Sequence, residues 1–133
     1  QMLFEDTIVS VKTIPLNHRI YTNGFLFKSN GKESLKYAFC SDTKYDEKII
    51  DLIKFADILY HDSTFLDVDK DLARKTKHST SIEAATIAQK AKVKKLILGH
   101  YSSRYKKKNK ILEEAKNVFR NSHLSEDLKR FLF

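Results

Sequence analysis

Apolar residues along the chain change their period once, near residue 42. Residues 7–14 alternate apolar and polar side chains, the period of a half-covered strand, and Pro15, with no N–H to give a ladder, predicts its end. Residues 24–28 and 36–40 predict two more strands, joined by residues 29–34, whose Asn30-Gly31 pair suits a hairpin turn. Beyond Asp42 the spacing becomes helical: Ile49, Ile50, Leu52, Ile53 and Phe55 predict a short helix over 46–55, and residues 58–61 a brief strand. The polar stretch 67–75 predicts a mobile connection of at most two turns. Thr80-Ser-Ile-Glu83 is a capping box, and alanines 84, 85, 88 and 91 give the following helix a small-residue face for packing on a sheet. Leu96, Ile97 and Leu98 predict a strand covered on both faces over 95–99, then come an amphipathic helix over 110–119 and a final strand over 128–133. Strands first adjacent, then separated by helices, predict an α/β fold with one mixed sheet flanked by helices.

Composition narrows the setting. A chain of 133 residues suits one domain able to bury roughly two-thirds of its unfolded surface. With 41% hydrophobic and 32% charged residues it reads as globular, and no apolar run approaches the ~20 residues of a membrane span. Glu5 and Asp6 interrupt the only apolar opening, so no signal peptide is predicted and the expected location is cytoplasmic. Cys40 is the only cysteine; it excludes an internal disulfide, and its apolar neighbours predict a packed thiol. Lysine and arginine outnumber acids by 25 to 17, a net charge of +8 that favours polyanionic partners. Much of the excess lies at 90–95 and 106–110, where such runs also serve simply as solvated faces.

The candidate chemistry sits just past strands: His18 after the first, Asp42 after the third and His100 after 95–99. Imidazole nitrogen and carboxylate oxygen are ligand types that Zn²⁺ accepts, and a carboxylate can bridge two ions where a neutral histidine cannot. Spacing alone leaves alternatives open, because a histidine after a strand can be structural and Asp42 before Thr43 can form an Asx-turn or enter a helix.

The wording of the segments goes further. Pro15-Leu-Asn-His18, Asn23-Gly24-Phe25, Ala38-Phe-Cys-Ser-Asp42-Thr43, Leu59-Tyr-His61-Asp62-Ser63-Thr64-Phe65, His78-Ser-Thr-Ser-Ile-Glu-Ala84-Ala85 and Leu98-Gly-His100-Tyr-Ser-Ser-Arg104-Tyr105 occur in that order. Together they resemble ribonuclease Z, the tRNA 3′-end endonuclease of the metallo-β-lactamase superfamily, from about Thr7 to Phe133. The part matched is the carboxyl-terminal half of the family's αββα-type domain. The resemblance implies that His18 and His100 are zinc ligands and that Asp42 bridges two zinc ions. It places His78 in a loop associated with the scissile phosphate and proton transfer, and Ser102, Ser103 and Arg104 in a loop linked with phosphate binding. Where the family usually reads His-Glu-Ala-Thr, this chain has Asp62, whose shorter stem needs a closer backbone for any hydrogen bond to a metal ligand. His123 matches no motif and reads as a surface residue. Precursor tRNA is the implied substrate, and a homodimer the implied assembly.

Two departures qualify that picture. The family's His-x-His-x-Asp-His cluster has no counterpart, so only three direct ligands remain where zinc sites normally use three or four protein groups per ion. Partial or no zinc occupancy, and no nuclease activity for the chain alone, are therefore expected. Entry at Gln1 directly into the second half suggests an excised or naturally reduced half-domain whose partner is the missing amino-terminal half. Secondly, the arm with which similar bacterial proteins clasp tRNA is replaced by the short connection at 29–35. A non-catalytic, basic nucleic-acid-binding module on the same scaffold is the main alternative, with another metallo-β-lactamase-type phosphodiesterase behind it.

Overall fold

The change of period is a change of pairing direction. In the computed structural model, which describes residues 1–133, seven strands form one sheet in chain order. They are β1 (Met2–Glu5), β2 (Val9–Leu16), β3 (Thr22–Ser29), β4 (Lys36–Cys40), β5 (Ile58–Asp62), β6 (Lys95–Gly99) and β7 (Ser122–Leu124). Strands β1 to β4 pair antiparallel through short links, and β4 to β7 pair parallel. Parallel neighbours need crossovers, and these carry the helices: a 3₁₀ turn at Glu47–Ile49 leading into α1 (Ile50–Ile53), then α2 (Lys70–Thr76), α3 (Ser81–Lys90) and α4 (Asn109–Val118).

Register assigns the two faces. Ile14, Ala38, Cys40, Leu59, Leu96 and Leu98 share the face under the helices and join one core with Ala84, Ala85, Ile87 and Ala88 of α3 and Ile111 and Ala115 of α4. The small residues of α3 bring it close to β5 and β6, and its predicted capping box is formed: Glu83 N donates to Thr80 Oγ1 at 3.2 Å and Thr80 N to Glu83 Oε2 at 2.9 Å. Cys40 is fully buried and burial pushes its thiol up to about 12, the inert packed group expected. The opposite face is open. Phe25, Phe27, Tyr37, Phe39 and Tyr60 lie along it, half-buried, with Phe27 stacked on Tyr37 at 5.8 Å and Phe39 on Tyr60 at 4.8 Å.

Several boundaries differ from the expectation. β2 runs through Pro15, which pairs with Asn23. Thr13 N donates to Gln1 O on the β1 side, so the proline nitrogen two residues later faces that side too and the β2–β3 ladder loses no bond. No glycine has positive φ, so Asn30-Gly31 makes no primed turn; the Ser29 hydroxyl closes the loop instead, donating to Glu33 O (2.7 Å) and accepting from Leu35 N (2.9 Å). The helix predicted over 46–55 stops at Ile53, because Lys54 turns extended and Phe55 adopts φ 59°. β1 was not foreseen, and the strand expected over 128–133 is absent. The last strand is β7, and the tail folds back so that Phe131 and Phe133 meet Tyr37, Ile58 and Ile97 around an apolar hollow on the open face. No helix is long and apolar enough to cross a membrane.

Candidate metal centre

Sheet direction brings the predicted ligands together. β2 is antiparallel to β3 and β3 to β4, so β2 runs parallel with β4, β5 and β6, and all four end at one edge. His18, Asp42 and His100 follow the ends of β2, β4 and β6. The two carboxylate oxygens of Asp42 face different histidines: Oδ1 lies 3.3 Å from His100 Nε2 and Oδ2 lies 3.8 Å from His18 Nε2. No backbone N–H bonds the Asp42 side chain, unlike that of Asp46, which accepts from Lys48 N at 3.0 Å and starts the 3₁₀ turn. The Asx-turn and helix-entry readings of Asp42 therefore fall away.

Each ring is held from behind. His18 Nδ1 donates to Lys77 O at 2.9 Å, a carbonyl turned toward it by the left-handed residue ending α2. His78 Nδ1 lies 2.7 Å from Asp62 Oδ2, and His100 Nδ1 lies 2.8 Å from Thr64 Oγ1. His100 itself adopts φ 59°, a conformation uncommon for a residue with a Cβ. The His78 ring sits between the other two, 4.8 Å from His18 and 4.9 Å from His100 by centroid, stacked on the latter at 14°.

The donor set fits metal binding. Two ligand atoms about 2.1 Å from one ion at a tetrahedral angle lie roughly 3.4 Å apart, a value between the two Asp42–histidine separations of 3.3 and 3.8 Å. Separate oxygens facing separate histidines suit a carboxylate that would be shared between two ions. Donor atoms of His78 also come within 4.8 Å of those of His18 and Asp42. Asp62 approaches His78 and His100 as closely, but both its oxygens are occupied by hydrogen bonds and its side chain is fully buried, so it serves the cluster from beneath.

Asp62 is the hub of that support. Burial pushes its carboxyl up, but hydrogen bonds from His78, Thr64 and the Thr43 N–H outweigh burial and hold it below the ordinary range. Reciprocally, the Asp62 hydrogen bond raises the His78 imidazole above its usual value against the opposing effect of burial. The shorter stem thus reaches His78 directly, and reaches His100 only through the Thr64 hydroxyl, at 2.6 Å from Asp62 Oδ1. Sequence reasoning gave Thr64 and Lys77 no role. An Asp-x-Thr turn was readable for Thr64, whose N–H bonds Asp62 Oδ1 at 3.0 Å, whereas nothing in the sequence marks the Lys77 carbonyl.

The remaining candidates lie to one side. Ser102 N donates to Thr64 O at 3.0 Å, anchoring the loop, while Ser103 is exposed. Arg104 pairs with Asp69 at 3.0 Å and lies 5.7 Å above the Phe65 ring, itself 6.3 Å from His78. None of the three touches the donor cluster. His61 points into the helix-side core, where burial lowers its imidazole and its Nε2 has no partner; His123 rests against Phe131.

Fold and site define a class. The chain has the metallo-β-lactamase fold: the protein YhfI from Bacillus subtilis, which carries that fold, superposes with a TM-score of 0.81 at 22% identity over 93% of this chain and 48% of its own. Within that class the chain is a relative of ribonuclease Z and corresponds to its carboxyl-terminal half. It is 38% identical to ribonuclease Z of Azobacteroides pseudotrichonymphae across 95% of its length and 54% of the relative's. The short form of human tRNase Z superposes with a TM-score of 0.79 at 31% identity, over 96% of this chain and 44% of that one. No family model matches the chain. It spans about half the length of the curated relatives it matches, and the first match runs over 156 residues against 133 here, so that relative carries extra residues inside the matched region.

Proposed function

We propose that the chain supplies one half of a two-zinc endoribonuclease centre that removes 3′ trailers from precursor tRNA, the other ligands coming from an amino-terminal half. The observation that carries this reading is the division of the Asp42 oxygens between His18 Nε2 and His100 Nε2. Zinc held there would lower the pKa of bound water towards about 7 and polarise the phosphoryl oxygens. The chain's own groups do the rest. His18, Asp42 and His100 would hold the ions, and His78, kept protonated to higher pH by Asp62, gives its Nε2 proton to the leaving oxygen. Ser102, Ser103 and Arg104 bind a neighbouring phosphate, and Lys106, Lys107, Lys108 and Lys110 follow the tRNA backbone, with the chain acting in the cytoplasm. The open aromatic face takes the sheet of the amino-terminal half, and the completed enzyme forms a homodimer.

The test combines the chain with a polypeptide bearing His-x-His-x-Asp-His, zinc and precursor tRNA. Cleavage at the 3′ trailer is expected, abolished by His18→Ala, Asp42→Ala or His100→Ala and lowered roughly 10²–10⁴-fold by His78→Ala. No cleavage with both halves folded overturns the proposal. RNA binding with steep salt dependence, indifferent to the three ligand substitutions, would establish the non-catalytic module instead.

A further inference from the structure

We infer that Thr64 is a positioning residue, whose hydroxyl lets one buried carboxylate, Asp62, set the ring tautomers of His78 and His100 together. The inference rests on the reading of His100 as a metal ligand and concerns what makes it one. A neutral imidazole binds metal through a bare nitrogen, so which nitrogen carries the hydrogen decides whether His100 faces Asp42 with a lone pair or with an N–H.

The hydrogen bonds around Asp62 fix which nitrogen carries the hydrogen. Asp62 is fully buried and accepts from Thr43 N at 3.0 Å, Thr64 N at 3.0 Å, Ser79 N at 3.5 Å and His78 Nδ1 at 2.7 Å. Such a carboxylate is an acceptor only. Thr64 Oγ1, at 2.6 Å, must therefore give Asp62 its single hydrogen, and can only accept from its remaining neighbour, His100 Nδ1 at 2.8 Å. The hydrogen of His100 is on Nδ1, and Nε2, 3.3 Å from Asp42 Oδ1, keeps its lone pair. His78, bonded to Asp62 through Nδ1, is set the same way when its ring is neutral, without an intermediary. Thr64 is only 6% exposed, so water does not compete for its hydroxyl. Its carbonyl meanwhile holds Ser102 N, so the same residue seats the ring and the loop that follows it.

Long-range ¹H–¹⁵N correlation of the labelled, metal-free chain near pH 8, above the ordinary histidine pKa of about 6.5, reads the tautomer directly. The expected result is Nδ1–H for His100 in the native chain and in Thr64→Ser, and a shift toward Nε2–H in Thr64→Val. Zinc titration of the same proteins, each combined with the amino-terminal half, should show affinity weakened roughly 10–100-fold in Thr64→Val and restored in Thr64→Ser. A residue that merely packs would change stability but not the tautomer. The native chain needs no variant to decide the matter: His100 found as Nε2–H overturns the inference, as does an unchanged tautomer in folded Thr64→Val. Nδ1–H without zinc binding by the completed site upholds the Thr64 role and instead removes the metal reading on which the proposed function stands.

Discussion

Asp62 receives five hydrogen bonds, and each is a commitment to its charged form. Its lowered pKa means that its contribution to stability is present above the unfolded value near 3.8 and is lost as pH falls through the lower folded value. The raised pKa of His78 has the opposite sense. Its contribution is complete below about 6.5 and is lost as pH rises through the folded value. In the metal-free chain the pair therefore stabilises most between those limits, and urea unfolding across pH should give a bell. Asp62→Asn should remove the part of both limbs due to this pair and leave a less stable, flatter profile. A mutant profile parallel to the native one would show that the pair does not couple to folding.

At the element scale, the junction of β5 and β6 shows how tightly the site edge is built. A Cβ on Gly99 would lie 2.0 Å from Tyr60 Oη and 2.4 Å from Cε2, and the Tyr60 ring is held by its stack on Phe39, so it cannot swing away freely. Gly99→Ala is expected to destabilise by about 1–3 kcal/mol, read by denaturant titration, because the ring must move or the strand must shift. A change below about 0.5 kcal/mol would mean that the ring yields easily. Such local rules were legible. β4 and β6 match their apolar runs residue for residue, and the α3 cap was visible in Thr80 and Glu83 because capping is a short-range contact. What escaped depends on the neighbour. The proline within β2 is tolerated because its nitrogen faces away from β3, β1 has all four residues exposed and carries no pattern, and the apolar tail at 128–133 finds a surface rather than a strand partner. The candidate ligand residues followed from motif resemblance, but their convergence follows from the parallel sense of β2, β4, β5 and β6, which no single segment encodes. Ser102, Ser103 and Arg104 were equally visible in the sequence, yet Arg104 meets Asp69 and Phe65 instead of the histidines.

The molecule as a whole has one well-covered sheet face and one aromatic face covered only in part by its own tail. Helices bury Ala38, Cys40, Leu59, Leu96 and Leu98 completely, whereas Phe25, Phe27, Tyr37, Phe39 and Tyr60 keep part of their surface in water. A contiguous apolar patch of this kind favours association, since aromatic area removed from water contributes about 25 cal/mol per Å². The net charge of +8 opposes it by repulsion between like copies, a force that salt screens within a Debye length of about 8 Å at physiological ionic strength. The two terms respond differently to salt, which makes the balance measurable. In sedimentation equilibrium the chain's average mass should rise above 15.5 kDa with concentration, and rise further as salt is added. Phe39→Asp, placed in the middle of the stacked pairs, should hold the mass near the monomer value at every salt concentration, and an equimolar amino-terminal half should suppress self-association in the native chain by occupying the same face. A native chain that stays monomeric in high salt would mean that the tail residues Phe131 and Phe133 already cover enough of the face to leave it inert.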